Sequence, residues 1–65
     1  MFKGFMSKDG KETYIKTDSI IAIYDNMKIY RKDGLVEYIS NIYLSGGQNI
    51  NVIGKASDLL EYIEE

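Results

Sequence analysis

Short turn-forming dipeptides divide this chain of 65 residues into segments, each about as long as a β-strand. Asp-Gly and Gly-Gly pairs tolerate the positive φ angles of tight turns, and Asp-Gly between apolar segments predicts a hairpin. The phrase Lys-Asp-Gly occurs twice, and Tyr-Ile follows it at the same distance both times. We therefore predict that each phrase is a hairpin tip of type I′ geometry, with positive φ at Gly10 and Gly34. The turn dipeptides are Asp9-Gly10, Asp25-Asn26, Asp33-Gly34 and Gly46-Gly47.

The segments between these turns alternate apolar and polar residues and are rich in Ile and Tyr, as β-strands are. The last segment changes period, because Ala56, Leu60 and Ile63 recur at helical spacing with Leu59 beside them. It predicts a short helix that Ser57 caps and that closes the sheet. We expect strands at about 2–7, 12–17, 20–25, 27–32, 35–44 and 49–53.

These elements predict a mainly β (α+β) fold in one domain over residues 1–65. The expected architecture is an antiparallel curled sheet or small barrel of five to six strands, with one C-terminal helix. Side chains alternate between the faces of a strand, so the aliphatic face should form the core. The predicted core is Ile29, Ile42, Leu44, Ile50, Val52, Leu60 and Ile63.

Composition argues against several functions. The chain has no Cys and no His, so we expect no disulfide, no ordinary zinc site and no histidine base. We predict a protein that is not an enzyme and needs no cofactor or metal. The net charge of −2 disfavours a duplex-DNA binder, since such proteins present a basic stripe. No apolar run is long enough to cross a membrane and the first ten residues do not resemble a signal peptide, so we expect a cytoplasmic protein.

One predicted sheet face carries tyrosines among basic residues, and it is the strongest candidate for a binding site. Three interpretations remain open: an ordinary half-exposed sheet, a protein interface, in which Tyr is enriched, or a platform for nucleotides or single-stranded nucleic acid. Gly54-Lys55-Ala56-Ser57, at the start of the helix, is a second and weaker candidate, for an anion. The candidate binding residues are Tyr30, Tyr38, Tyr43, Lys28 and Lys32.

The chain resembles the small FlbD-type proteins of bacteria and phages. The matching residues are Asp9-Gly10-Lys11, Asp18-Ser19-Ile20 with Ile23, the segment 42–47, and the ending VIGKASDLLEYIEE. The resemblance touches most of the chain, although residues 26–40 look like an extra hairpin. It implies a small β-rich regulatory module without known catalysis, and it transfers no catalytic residue.

Together these observations predict a non-catalytic binding or regulatory module of a prokaryote or phage. Its partner should be a second copy of the chain, because a core of this size has no disulfide or metal to support it. Two alternatives remain open. One is a phage-encoded inhibitor of a host defence system, which binds a host protein or sequesters a nucleotide. The other is a single-strand nucleic-acid binder.

Overall fold

The structure is a computed structural model that describes all residues from Met1 to Glu65, and it is mainly β with one C-terminal helix, as predicted. Five strands, one short 3-10 turn and one α-helix follow each other along the chain. They are β1 (Phe2–Met6), β2 (Glu12–Lys16), the 3-10 turn (Thr17–Ser19), β3 (Ile20–Tyr30), β4 (Val36–Leu44), β5 (Asn49–Ile53) and α1 (Ala56–Glu64).

The strands form two antiparallel sheets. One sheet pairs β1 with β2, and the other has the order β3-β4-β5. A single bridge between Ser7 and Val52 joins the sheets, next to a hydrogen bond of 3.0 Å from the Lys8 N–H to the Asn51 carbonyl. The sheets do not close into a barrel, so of the two predicted architectures the structure has the open one.

Three hairpins have the same turn, and each places a glycine at positive φ. The φ angles of Gly10, Gly34 and Gly47 are 91°, 89° and 89°. The prediction for Gly10 and Gly34 is therefore confirmed. The predicted type I′ geometry is wrong, because it needs positive φ at both central residues and no non-glycine residue has a positive φ.

The hydrogen bonds define the turn that forms instead. In the second hairpin the Gly34 N–H donates to the Arg31 carbonyl at 3.0 Å, and the Arg31 N–H donates to the Leu35 carbonyl at 2.9 Å. This is the pattern of a three-residue loop whose last residue is a left-handed glycine. The Asp33 carboxylate adds a hydrogen bond of 3.1 Å from the Leu35 N–H, which explains why Asp precedes Gly here.

Strand β3 runs without a break through Asp25-Asn26, where a turn was predicted. The predicted break between strands at 20–25 and 27–32 is therefore wrong, and the chain has five strands, within the predicted five to six. Two register shifts against β4 occur in β3, one between Ile20 and Ala22 and one between Asp25 and Met27. The extra residue at each shift forms a bulge, which bends the strand and increases its twist without ending it.

The core lies between the three-stranded sheet, the β1-β2 hairpin and the helix. Its buried cluster is Phe5, Ile15, Ile42, Val52 and Leu59, with Ile20, Ile23, Leu44, Ile50, Tyr62 and Ile63 partly buried around it. Of the predicted core residues, Ile42 and Val52 are fully buried, and three more belong to the partly buried set.

Two residues that were predicted to lie in the core, Ile29 and Leu60, lie outside it, each for a geometric reason. Ile29 pairs with Glu37 on the opposite sheet face, because the bulge before Met27 shifts the alternation of β3 by one residue. Leu60 is 51% exposed, whereas its neighbour Leu59 is only 8% exposed. The helix thus turns Leu59 towards the core.

The helix begins earlier than predicted. Lys55 occupies the cap position without a side-chain hydrogen bond, so the prediction that Ser57 caps the helix is wrong. The cap comes from the sheet instead, because the Ala56 N–H donates to Asp25 Oδ1 at 3.0 Å. A carboxylate at this end also matches the helix dipole. The structure contains no helix that is long and apolar enough to cross a membrane.

Candidate binding surfaces

The structure separates the five predicted binding residues. Lys28 pairs with Tyr38 across β3 and β4, and Tyr30 pairs with Val36 further along the same strands. By strand alternation, these side chains lie on the sheet face that carries Ile42 and Leu44 and packs against the helix. Tyr43 points to the opposite face, and Lys32 lies in the exposed turn between β3 and β4. A single stripe of three tyrosines therefore does not form.

Among the predicted binding residues, Tyr38 is the one whose ring contacts two lysine side chains. Its ring has the Lys28 Nζ at 5.6 Å and the Lys55 Nζ at 4.6 Å from the ring centroid. Both distances are typical of cation–π contacts. We call Lys28, Tyr38 and Lys55 the lysine–tyrosine cluster. Two of its members, Lys28 and Tyr38, are predicted binding residues, whereas Lys55 belongs to the segment predicted as a separate candidate anion site.

The opposite face of the three-stranded sheet is uncharged at its centre. Tyr24 and Tyr43 pack edge to face there, with ring centroids 5.5 Å apart. Beside them Asn41 Nδ2 donates to Asn51 Oδ1 at 3.0 Å and to Asn49 Oδ1 at 3.2 Å. Asn41 is only 6% exposed, and its Oδ1 atom has no hydrogen-bond partner. An unpaired buried acceptor costs about 1–3 kcal/mol, so this amide is a local weakness in an otherwise well-bonded sheet.

The most apolar surface is a groove between the start of β3 and the outer face of α1. Its volume is about 470 Å³. Ile21 at 66% and Leu60 at 51% exposure are its most accessible hydrophobic residues. We call this surface the β3 groove; its lining is Thr17, Ile20, Ile21, Ala22, Ile23, Ala56, Ser57, Leu60, Ile63 and Glu64.

The β3 groove borders a free strand edge. β3 pairs with β4 on one side only, so backbone N–H and C=O groups along its other side have no partner strand. This surface is absent from the predicted sites because Leu60 is among the predicted core residues. The doubled apolar residues Ile20-Ile21 and Leu59-Leu60 were the available sign, since one member of each pair must face away from the core when the other faces it.

No group of three or more acidic side chains converges on one point. Three groups have a pKa that departs from its ordinary value, and all three are exposed; in Tyr24 the neighbouring Tyr43 raises the pKa. Hydrogen bonds from the Ser7 hydroxyl and the Lys11 N–H lower the pKa of Asp9, and donation to Glu12 at 2.7 Å raises the pKa of Tyr14. Asp9 and Tyr14 both belong to the β1-β2 hairpin, and neither lines a candidate surface.

Comparisons with protein-family models, with curated proteins and with solved structures found no match to this chain. The resemblance to FlbD-type proteins therefore stays a prediction, and the candidate surfaces are judged on their own geometry.

Proposed function

We propose that this protein is a non-catalytic binding module that acts through protein–protein contacts and associates with a second copy of itself at the β3 groove. The observation that carries the proposal is the position of Ile21 and Leu60, two exposed aliphatic side chains in one groove beside an unpaired strand edge. An apolar groove supplies the driving force for association, and a free edge supplies hydrogen bonds.

The accessible surface of the chain is larger than that of a typical compact monomer, which supports the presence of a partner. Its accessible area is 4592 Å², whereas a compact monomer of the same mass has about 4,200 Å². Only 8 of 65 residues are buried. A chain that exposes more surface than usual and buries so few residues gains stability when a second copy covers its apolar groove.

A two-fold arrangement fits this surface. Two β3 edges that meet around a two-fold axis run antiparallel, and each copy then presents its groove to the same region of the other. Groove and edge lie next to each other, so a single contact covers both. We expect this assembly in the cytoplasm of a prokaryote or of a phage-infected cell.

The mass in solution tests the proposal. Sedimentation velocity at micromolar and millimolar concentration should show twice the monomer mass of 7.4 kDa at the higher concentration. Leu60→Glu and Ile21→Glu should each return the protein to the monomer mass, because a carboxylate in an apolar interface is costly to desolvate.

Leu35→Glu is the matched control. Leu35 is an exposed aliphatic residue too, at 61%, but it lies at the β3-β4 hairpin turn, outside the β3 groove. This variant should associate as the wild type does. A wild type of 7.4 kDa at both concentrations, or equal dissociation of Leu35→Glu, would contradict self-association through the groove.

A foreign protein is the second candidate for the occupant of the β3 groove. The two bulges in β3 favour it, because bulges twist a strand edge and hinder its pairing with an identical strand. In this case the protein is a monomeric inhibitor, such as one that a phage directs at a host defence protein. Wild type would capture a host protein from lysate, Leu60→Glu would not, and the wild-type mass would stay that of a monomer.

A further inference from the structure

The lysine–tyrosine cluster brings two positive charges from distant parts of the chain to one aromatic ring. Lys28 lies near the end of β3, and Lys55 is the residue before the helix. Their ammonium groups lie 5.6 Å and 4.6 Å from the centroid of the half-buried Tyr38 ring. The ring holds each long side chain against it, so part of the entropy that a lysine loses on binding a ligand is already lost.

Neither ammonium is neutralised within the chain. The only ion pair in the structure joins Arg31 to Glu37, at 3.4 Å on the other side of the sheet. Asp25 is the acidic residue at this site, and its Oδ1 atom accepts the Ala56 N–H at 3.0 Å. The helix terminus is therefore already capped, and the charge that is left to attract a ligand is that of the two lysines.

A groove large enough for a small molecule lies between these groups. Its volume is about 560 Å³, and its lining consists of Asp25, Asn26, Met27, Lys28, Tyr38 and Lys55. Small-molecule sites have volumes of roughly 300–1,000 Å³ and a few convergent polar groups. Here the convergent groups are two ammonium donors and the phenol of Tyr38.

We propose that the lysine–tyrosine cluster binds a compact anion of the diphosphate class. Two ammonium groups within about 6 Å of one ring centroid suit a ligand with two linked anionic groups, because each group can then accept from one lysine. The rest of the molecule disfavours a long polyanion. The net charge is −2, and the far end of the helix carries Glu61, Glu64 and Glu65, which would repel phosphates beyond the cluster.

Substitution of Asp25 should change the affinity for the anion in the direction opposite to substitution of either lysine. Its carboxylate lines the groove and opposes an anion there, while its Oδ1 atom caps the helix. An asparagine keeps an oxygen for the Ala56 N–H and loses the negative charge. Asp25→Asn should therefore bind the anion more tightly than wild type, while the two lysine variants bind it more weakly.

The experiment is a titration of isotope-labelled protein with inorganic pyrophosphate, followed by amide chemical shifts. Shifts should saturate and should centre on residues 27, 28, 38, 55 and 56. Lys28→Gln and Lys55→Gln should each raise the Kd about fivefold, the usual upper size of an exposed charge contact. Asp25→Asn should lower the Kd by a factor of about three. Lys8→Gln with Lys11→Gln, two lysines at the β1-β2 turn, is the control for charge, and it should leave the Kd unchanged.

Further titrations distinguish the sources of the ligand. A nucleoside diphosphate that binds as well as pyrophosphate would show that the phosphates alone are recognised, and tighter binding would identify a nucleotide; both support the site. Shifts that do not saturate, or an equal loss of affinity in the Lys8/Lys11 control, would overturn the proposal. It would also be overturned if an oligothymidylate bound more tightly than pyrophosphate and depended on the same two lysines, because the surface would then be one for nucleic acid.

Discussion

Leu59 and Leu60 are adjacent leucines of one helix in opposite environments, and their truncation to alanine gives a direct measure of the core. Leu59 is 8% exposed and belongs to the buried cluster with Phe5 and Ile42, whereas Leu60 is 51% exposed. Leu59→Ala removes a side chain that is almost completely buried and leaves a cavity. We expect a loss of about 2–4 kcal/mol in the free energy of unfolding.

Leu60→Ala is the matched control, since both variants make the same chemical change in the same helix. Half of the Leu60 side chain is already in water, and its loss leaves no enclosed cavity. We expect a cost of less than about 1 kcal/mol. Alanine also has the higher helix propensity, which offsets part of this cost equally in both variants.

Urea denaturation followed by circular dichroism measures the two free energies. A domain of this length has a total stability of roughly 3–10 kcal/mol, so Leu59→Ala should lower the urea midpoint strongly or leave the protein largely unfolded. Measurement at two protein concentrations separates core packing from association, because only the loss of a dimer contact depends on concentration. Equal effects of the two substitutions at low concentration would refute the orientation of the helix and the reasoning built on it.

Two further predictions concern the hairpin turns. Gly34→Val should lower the free energy of unfolding by about 1–2 kcal/mol, because Gly34 has a φ of 89° and a side chain there is strained even though no atom lies within 4 Å of an added Cβ. Gly46→Ala, in equally open space but outside the left-handed region, should change it by less than about 0.5 kcal/mol, and equal urea midpoints for the two variants would contradict the turn geometry. At the first hairpin, hydrogen bonds from the Ser7 hydroxyl and the Lys11 N–H lower the pKa of Asp9 below its usual 3.8, so the stabilisation by this carboxylate is present above about pH 4 and is lost as the pH falls through the lowered value. The urea midpoints of wild type and Asp9→Asn should therefore converge as the pH falls below about 4, and a constant difference at every pH would show that the charge of Asp9 does not contribute.

The candidate sites were only partly predictable from the sequence. Lys28 and Tyr38 lie together, as predicted. They pair across the β3-β4 hairpin, whose turn contains the second Lys-Asp-Gly phrase. Lys55 reaches the same ring only because the helix start folds back over β3. Tyr43 was assigned to the same face and lies on the other one, since it is an odd number of residues from Tyr38 along an unbulged strand.

What the sequence determines by itself is the set of features that depend on neighbours in the chain. A glycine after Asp or Gly at a hairpin tip adopts positive φ because other residues are strained there, and this requirement is visible in the letters. Period-2 and period-3.6 patterns likewise give a mainly β chain that ends in a helix, since they depend only on how side chains are spaced along each element.

Tertiary structure alone decides how β3 passes through Asp25-Asn26. As a dipeptide the pair predicts a turn, but in the fold the Asp25 carboxylate caps the helix and the Asn26 amide donates to Asn51 Oδ1 at 2.9 Å. These partners lie 31 and 25 residues away along the chain, so no local pattern contains them. The resulting bulge shifts the alternation by one residue, which moves Ile29 from the predicted core to the opposite face. Contacts of long sequence separation set this register, and the register decides which side chains meet to form a site.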